Sequence, residues 1–141
     1  IYQTWVENEQ VLPLLSFFKM DAAEAAFITG INTETHQGRL DAGIRIQSYG
    51  VREVMLTVND EVIVITAHQA YSVPFRFRSL KGRTGRGDTC SIAYLTHRIH
   101  HNIEESTRFA AALTSLKIEI PGPFKLKRQD VDQFLQQYYI E

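Results

Sequence analysis

The stretch Gly82-Arg83-Thr84-Gly85-Arg86-Gly87-Asp88-Thr89 decides how this chain is read. Three glycines within six residues suit neither a strand nor a helix, but they let backbone N–H groups turn inward around a bound group. Immediately afterwards Ile92, Ala93, Leu95, His97 and Ile99 recur at helical spacing from Thr89 to about His101, so the loop feeds a helix N-terminus. Unpaired amides and the helix dipole favour negative charge there. The anion that fits is a phosphate.

Two familiar phosphate loops fail on single residues. A Walker A loop requires lysine where Asp88 stands, and a carboxylate repels the phosphates that lysine would attract. A dinucleotide-binding turn starting at Gly85-Arg86-Gly87 would need its third glycine at Cys90. What a carboxylate can do in an anion site is take the proton from a hydroxyl that attacks phosphorus, while glycine amides hold the charge on the transferring group. An aspartate can equally cap a helix, and Asp88 by itself leaves both uses open.

Thr84-Gly85-Arg86-Gly87-Asp88-Thr89 resembles the second signature of the PfkB family, the ribokinase-like carbohydrate kinases, whose usual form is Asp-Thr-Thr-Gly-Ala-Gly-Asp. The resemblance implies that Asp88 is the catalytic base and that Gly85, Arg86 and Gly87 form the anion hole, with ATP as donor and Mg2+ beside its phosphates. It covers nearly all of this chain but only the C-terminal half of the family's length. The chain is therefore expected to be a piece of a larger protein whose other half carries most of the sugar pocket and a small lid sheet. Arg86 replaces the usual alanine and is expected to add a charged contact to the γ-phosphate, so Arg86→Ala should weaken nucleotide binding. Gly82 stands where the family has an aspartate that helps to hold a monovalent cation, which implies little activation by potassium.

At 141 residues the chain has the size of one domain, and residues 1–141 are read as a single domain or part-domain. Its 44% hydrophobic and 22% charged residues are ordinary for a globular protein, and a net charge of -1 argues against a dedicated polyanion binder. No apolar run approaches membrane-spanning length, and the start, Ile1 to Glu7, lacks the basic and apolar parts of a signal peptide. The single cysteine, Cys90, cannot form an internal disulfide. A cytoplasmic protein is expected.

In chain order, Leu14 to Phe18 reads as a buried strand after Pro13. Asp21 with Glu24 three residues on starts a helix, and Gly30 stops it. A capping box explains both acids; the resemblance places them on the family's Asn-x-x-Glu motif, which implies that Glu24 and Asp21 help to hold magnesium and its waters. Thr33 to Tyr49 reads as a surface helix, Val51 to Val58 and Glu61 to Ala67 as strands, and Gln69 to Pro74 as a weak strand. Between the strands, Thr57 and Asn59 fall where family members touch the nucleotide. A plain hairpin is the competing reading.

Arg76, Arg78, Lys81, Arg83 and Arg86 follow, with no acid between Glu61 and Asp88. Their arrival at the glycine loop suggests a positive surround for phosphates, with Thr84 beside them; a solvated face and a nucleic-acid patch compete. Arg86-Gly87-Asp88 also spells the integrin tripeptide, but a helix start is not an exposed flexible tip. His97 and His101 share a helix face without a third metal ligand nearby, and Cys90 reads as a packing residue. Asn102 opens another helix that runs through Phe109-Ala110-Ala111-Ala112-Leu113 to about Leu116. The resemblance sets its small face against adenine, with Ala111 and Ser115 as contacts, although Ala111 stands where the family often has asparagine. Gln129 to Tyr138 is an amphipathic helix with Val131, Phe134, Leu135 and Tyr138 inward.

The expected fold is α/β, a ribokinase-like (Rossmann-like) mostly parallel sheet flanked by helices and limited to the C-terminal nucleotide-binding half. The expected reaction moves the γ-phosphate of ATP to a hydroxyl of a sugar or related alcohol. A nucleoside kinase of the same superfamily, a non-catalytic nucleotide-binding module and a nucleic-acid binder are the alternatives, the last marked by affinity that falls steeply with salt. The family also implies a homodimer formed through the lid.

Overall fold

Pro13 lacks the amide that a strand would use, and the chain around it forms a 3-10 helix, Trp5–Leu14, before Leu15 N donates to Leu12 O at 3.0 Å. The first strand therefore starts later than the sequence suggests: β1 is Phe17–Asp21, not Leu14 to Phe18. The structure, a computed structural model, describes residues 5–82 and 84–140. Arg83 of the basic run, and Ile1 to Thr4 of the N-terminal start, lie outside the described residues.

Helix α1, Ala22–Thr29, is framed as its sequence predicts. Asp21 Oδ1 accepts from Glu24 N at 2.8 Å, Glu24 Oε2 accepts from Asp21 N at 2.8 Å, and Gly30 ends the helix at φ 72 with its amide on Ala26 O. Asp21→Ala is expected to cost about 1 kcal/mol, read as a lower urea midpoint at constant slope. An unchanged midpoint would show that this box stabilises nothing.

Helix α2, His36–Ser48, leads to β2, Glu53–Thr57, which pairs parallel to β1 from Phe17↔Glu53 to Asp21↔Thr57. A parallel pair needs a long crossover, and α1 and α2 supply it. Strand β3, Glu61–Ile65, follows β2 after only three residues, so those neighbours run antiparallel. Strand β4, Ala70–Pro74, folds back on β3, with Thr66 N on Gln69 O at 2.9 Å and Phe75 N on Asp60 O at 2.8 Å. The fold is α/β as expected, with a mixed sheet in the order β1-β2-β3-β4.

The chain divides into two compact units, residues 1–59 with 63–71 and residues 60–62 with 72–141. In the first, Leu12, Met20, Ala25, Ala42, Ile46, Val54, Leu56, Ile63 and Ile65 form one buried apolar cluster. In the second, α4, Ile103–Glu119, packs against both α3, Arg86–Arg98, and α5, Arg128–Tyr138. Burial runs around α4 from Ser106 to Ile118, as befits a helix with neighbours on several sides, and Ala110 to Ala112 let those neighbours approach closely.

Helix α3 begins at Arg86, three residues before the Thr89 that the periodicity suggests, and ends at Arg98 and not at about His101, so Arg86, Gly87 and Asp88 of the glycine stretch are helical; it is also turned. Its buried residues are Cys90, Ala93 and Tyr94, whereas Ile92, Leu95 and Ile99 are 64%, 39% and 72% exposed. Two apolar stripes satisfy the same helical period, and the structure buries the first. Among the described residues no helix is long and apolar enough to cross a membrane.

Candidate active site

Gly85 sits at φ 78, ψ 14 as the N-cap of α3, a left-handed conformation that glycine adopts without strain, and Thr89 N donates to its carbonyl at 3.0 Å. Arg86, Gly87 and Asp88 therefore form the first turn, the part of a helix whose amides have no partner inside it. Asp88 is exposed and lines two hollows in the second unit. One, of about 470 Å3, is bounded by Lys81, Gly82, Thr84, Gly85, Lys117 and Phe124. The other, of about 740 Å3, runs along α3, α4 and α5 past Ile92, His97, Phe109 and Arg128.

The two uses of Asp88 left open by the sequence differ in a hydrogen bond. Three other helices carry an acid at the same third position, and all three use it as a cap: Glu24 on Asp21 N at 2.8 Å, Glu105 on Asn102 N at 3.3 Å, Asp130 on Lys127 N at 2.7 Å. At α3 no side chain caps the start, and the Asp88 carboxylate has no hydrogen bond or ion pair among the described residues. A carboxylate without a structural partner is available to a ligand.

The loop entering α3 is fixed from behind. Gly82 N donates to Ile118 O at 2.6 Å, and the buried Lys117 ammonium donates to Gly82 O at 3.1 Å. Lys117 was not singled out by the sequence, because nothing local ties a lysine near the end of one helix to a glycine 35 residues earlier. Of the basic run, Arg78 is bound to Glu119 through Nε at 2.9 Å and Nη2 at 2.7 Å, an ion pair that holds the Glu119 carboxyl below its ordinary range. Arg78 is thus part of a structural pair, while Lys81 lines the smaller hollow.

In the larger hollow His97 stacks between His101, at 3.8 Å between centroids, and Phe109, at 4.3 Å, and the Arg128 guanidinium lies 4.5 Å from the Phe109 centroid. Face-to-face rings do not turn two nitrogens toward one ion, and among the described residues no three of His, Cys, Asp and Glu gather as a metal site. Burial first, then the charges of His101 and Arg128, push the pKa of His97 down to about 4. The unfolded chain, with its histidine near 6.5, then takes up the proton first, so stability is full above pH 6.5 and falls as pH drops toward 4. Because the ring is partly exposed, the loss is on the order of 1 kcal/mol. Urea midpoints at about pH 7 and pH 4.5 should show it, and His97→Asn should flatten the difference.

In the first unit, the parallel register sets Asp21 beside Thr57, at the C-terminal ends of β1 and β2, with Glu24 one helical turn on and Asn59 exposed beyond the strand. Such strand ends are where open α/β sheets bind ligands. Magnesium takes hard oxygen donors and keeps several waters. Asp21 and Glu24 fit it in that outer role: both are exposed, and each has one carboxylate oxygen outside the capping box. Thr57 itself is 4% exposed.

Thr84 lines the smaller hollow. Ala111 and Ser115, expected against the nucleotide, are fully buried. The Ser115 hydroxyl donates to Ala111 O at 2.7 Å, accepts from Arg76 N at 2.9 Å and lies 3.0 Å from the Tyr139 hydroxyl. Burial pushes the Tyr139 phenol up to about 12, and it donates to Pro74 O at 2.8 Å. The hydroxyls of Ser115 and Tyr139 are thus engaged mainly by backbone groups of the second unit.

No protein-family profile matches the chain, and no curated protein sequence matches it. Solved structures do. One, described as a pyrophosphate-dependent kinase in the ribokinase family complexed with a pyrophosphate analog and myo-inositol, is 37% identical over 94% of this chain and 46% of its own, with a TM-score of 0.80. Another, described as a pyrophosphate-dependent myo-inositol-1 kinase converted into a myo-inositol-3 kinase, is 36% identical over 99% of this chain and 48% of its own, at 0.81. Arabidopsis thaliana ribokinase complexed with ribose and ATP, at 23% identity and a TM-score of 0.82 over 91% of this chain, shares the fold. The chain spans about half the length of each of these structures.

Proposed function

We propose, on the premise that the chain belongs to the ribokinase family, that it forms the catalytic-base half of a kinase that moves a phosphoryl group onto a hydroxyl of a sugar or related polyol. One observation carries this reading: Asp88 is the third-position acid that caps nothing, exposed at the rim of two hollows on the first turn of α3. Its carboxylate takes the proton of the acceptor hydroxyl as that oxygen attacks phosphorus. The amides of Gly85, the N-cap, and of Arg86 and Gly87 in the first turn hold the charge on the transferring group; those of the first turn already point along the helix axis and need no reorganisation. Magnesium, when bound through waters on Glu24 and Asp21, would neutralise phosphate charge.

The donor expected from the sequence is ATP. A specific observation favours inorganic pyrophosphate as a second reading: Ala111 and Ser115, the residues expected to touch the nucleotide, are fully buried. Two relatives above 35% identity are described as pyrophosphate-dependent, with myo-inositol named as a ligand or substrate, so a cyclic polyol is the acceptor class to try first. Phosphorylated product from each donor, measured on the native protein and on Asp88→Asn, tests the proposal. A donor-binding protein whose turnover is the same in both would be a binding module and not a kinase.

A further inference from the structure

Lys117 is 4% exposed, and among the described residues its ammonium has one acceptor, the carbonyl of Gly82 at 3.1 Å. A lysine ammonium has three hydrogens to give, and a buried charge normally has a carboxylate beside it. Here no described carboxylate pairs with it. The group lies in the last turn of α4, where the helix end is partly negative, and it borders the 470 Å3 hollow beneath the glycine loop. Backbone carbonyls and a helix C-terminus are what proteins use to hold a bare monovalent ion in place of its water shell.

We propose that Lys117 is a positioning residue whose ammonium acts as a built-in monovalent cation: it fixes Gly82, and through Thr84 and Gly85 the amides of the first turn of α3, without an ion from solution. Gly82 is gripped at both ends, its carbonyl by Lys117 and its amide by Ile118 O at 2.6 Å. The next described residues are Thr84 and the left-handed Gly85, so a shift at Gly82 reaches the proposed anion hole within three residues. The inference rests on the kinase reading for its activity readout, but its stability readout does not.

The test is chemical rescue in the native protein. In a magnesium-containing buffer whose only monovalent cation is tetramethylammonium, too large for the vacated space, Lys117→Ala is expected to lose about 10-fold or more in kcat/KM. Ammonium or potassium at about 100 mM should restore most of that loss and raise the melting temperature of this variant by about 3 °C, as a ligand does that binds only the folded state. Wild type should respond to neither salt. Lys117→Met, which refills the volume without the charge, should lose activity as Lys117→Ala does and show no rescue, and it carries the test if the alanine variant does not fold. Full activity in Lys117→Met, or a folded Lys117→Ala that answers neither ion, overturns the proposal. If wild type, with the other half of the kinase present, transfers no phosphoryl group, the kinase reading falls, and the ion-dependent melting of Lys117→Ala still decides this one.

Discussion

Asparagine in place of Asp88 is expected to lower kcat about a thousandfold, the middle of the range for a lost general base, or about 4 kcal/mol of transition-state stabilisation. The substitution keeps the shape and removes the proton acceptor. Because Asp88 is exposed and has no described partner, the fold loses only the interaction of one acid with the start of a helix, about 0.5 kcal/mol. Donor affinity should therefore hold within about threefold, or improve slightly, since a negative charge leaves a phosphate site. The same exchange at Glu24 reads differently: its carboxylate accepts from Asp21 N, so Glu24→Gln should register in melting as well as in magnesium dependence. A drop in kcat below about tenfold for Asp88→Asn would remove the base and leave only the site's affinity for anions to explain.

What the sequence disclosed follows from how local each signal is. The glycine loop, the capping box of Asp21 and Glu24 and the left-handed stop at Gly30 are each written within a few residues, and each is found in place. The burial of α3 was not legible, since Ile92, Leu95 and Ile99 make as good a helical stripe as Cys90, Ala93 and Tyr94, and periodicity cannot say which one meets a neighbour. The start of β1 slipped because Pro13 allowed a tight helix to run to Leu14. Alanines at 110 to 112 announce a close approach but not of what, and the structure fills that space with its own helices. The tie from Lys117 to Gly82, like that from Arg78 to Glu119, joins positions far apart in sequence and becomes visible only once the chain has folded.

Gly82→Ala should be the most destabilising single-atom change in the loop. A Cβ there would sit 1.9 Å from the carbonyl oxygen of Ile120, 2.5 Å from its carbon and 2.8 Å from Lys117 O, all backbone atoms that no rotamer can move aside. The expected cost is about 3 kcal/mol, a fall in melting temperature of roughly 10 °C for a chain of this size. Gly85 provides the contrast within the same loop. Its Cβ would meet nothing within 4 Å, but its φ of 78 strains any side chain, so Gly85→Ala should cost only about 1 kcal/mol. The comparison bears on chemistry as well as stability. Gly82 falls where the PfkB signature that this loop resembles has an aspartate, yet Gly82→Asp should melt as low as Gly82→Ala, because the first carbon of the side chain already collides. The backbone at Ile120 and Lys117 thus leaves no room for a side chain at this point of the fold. Melting of Gly82→Ala within about 2 °C of wild type would show that the end of α4 does not approach the loop so closely, and that the tether is looser than its 3.1 Å bond implies.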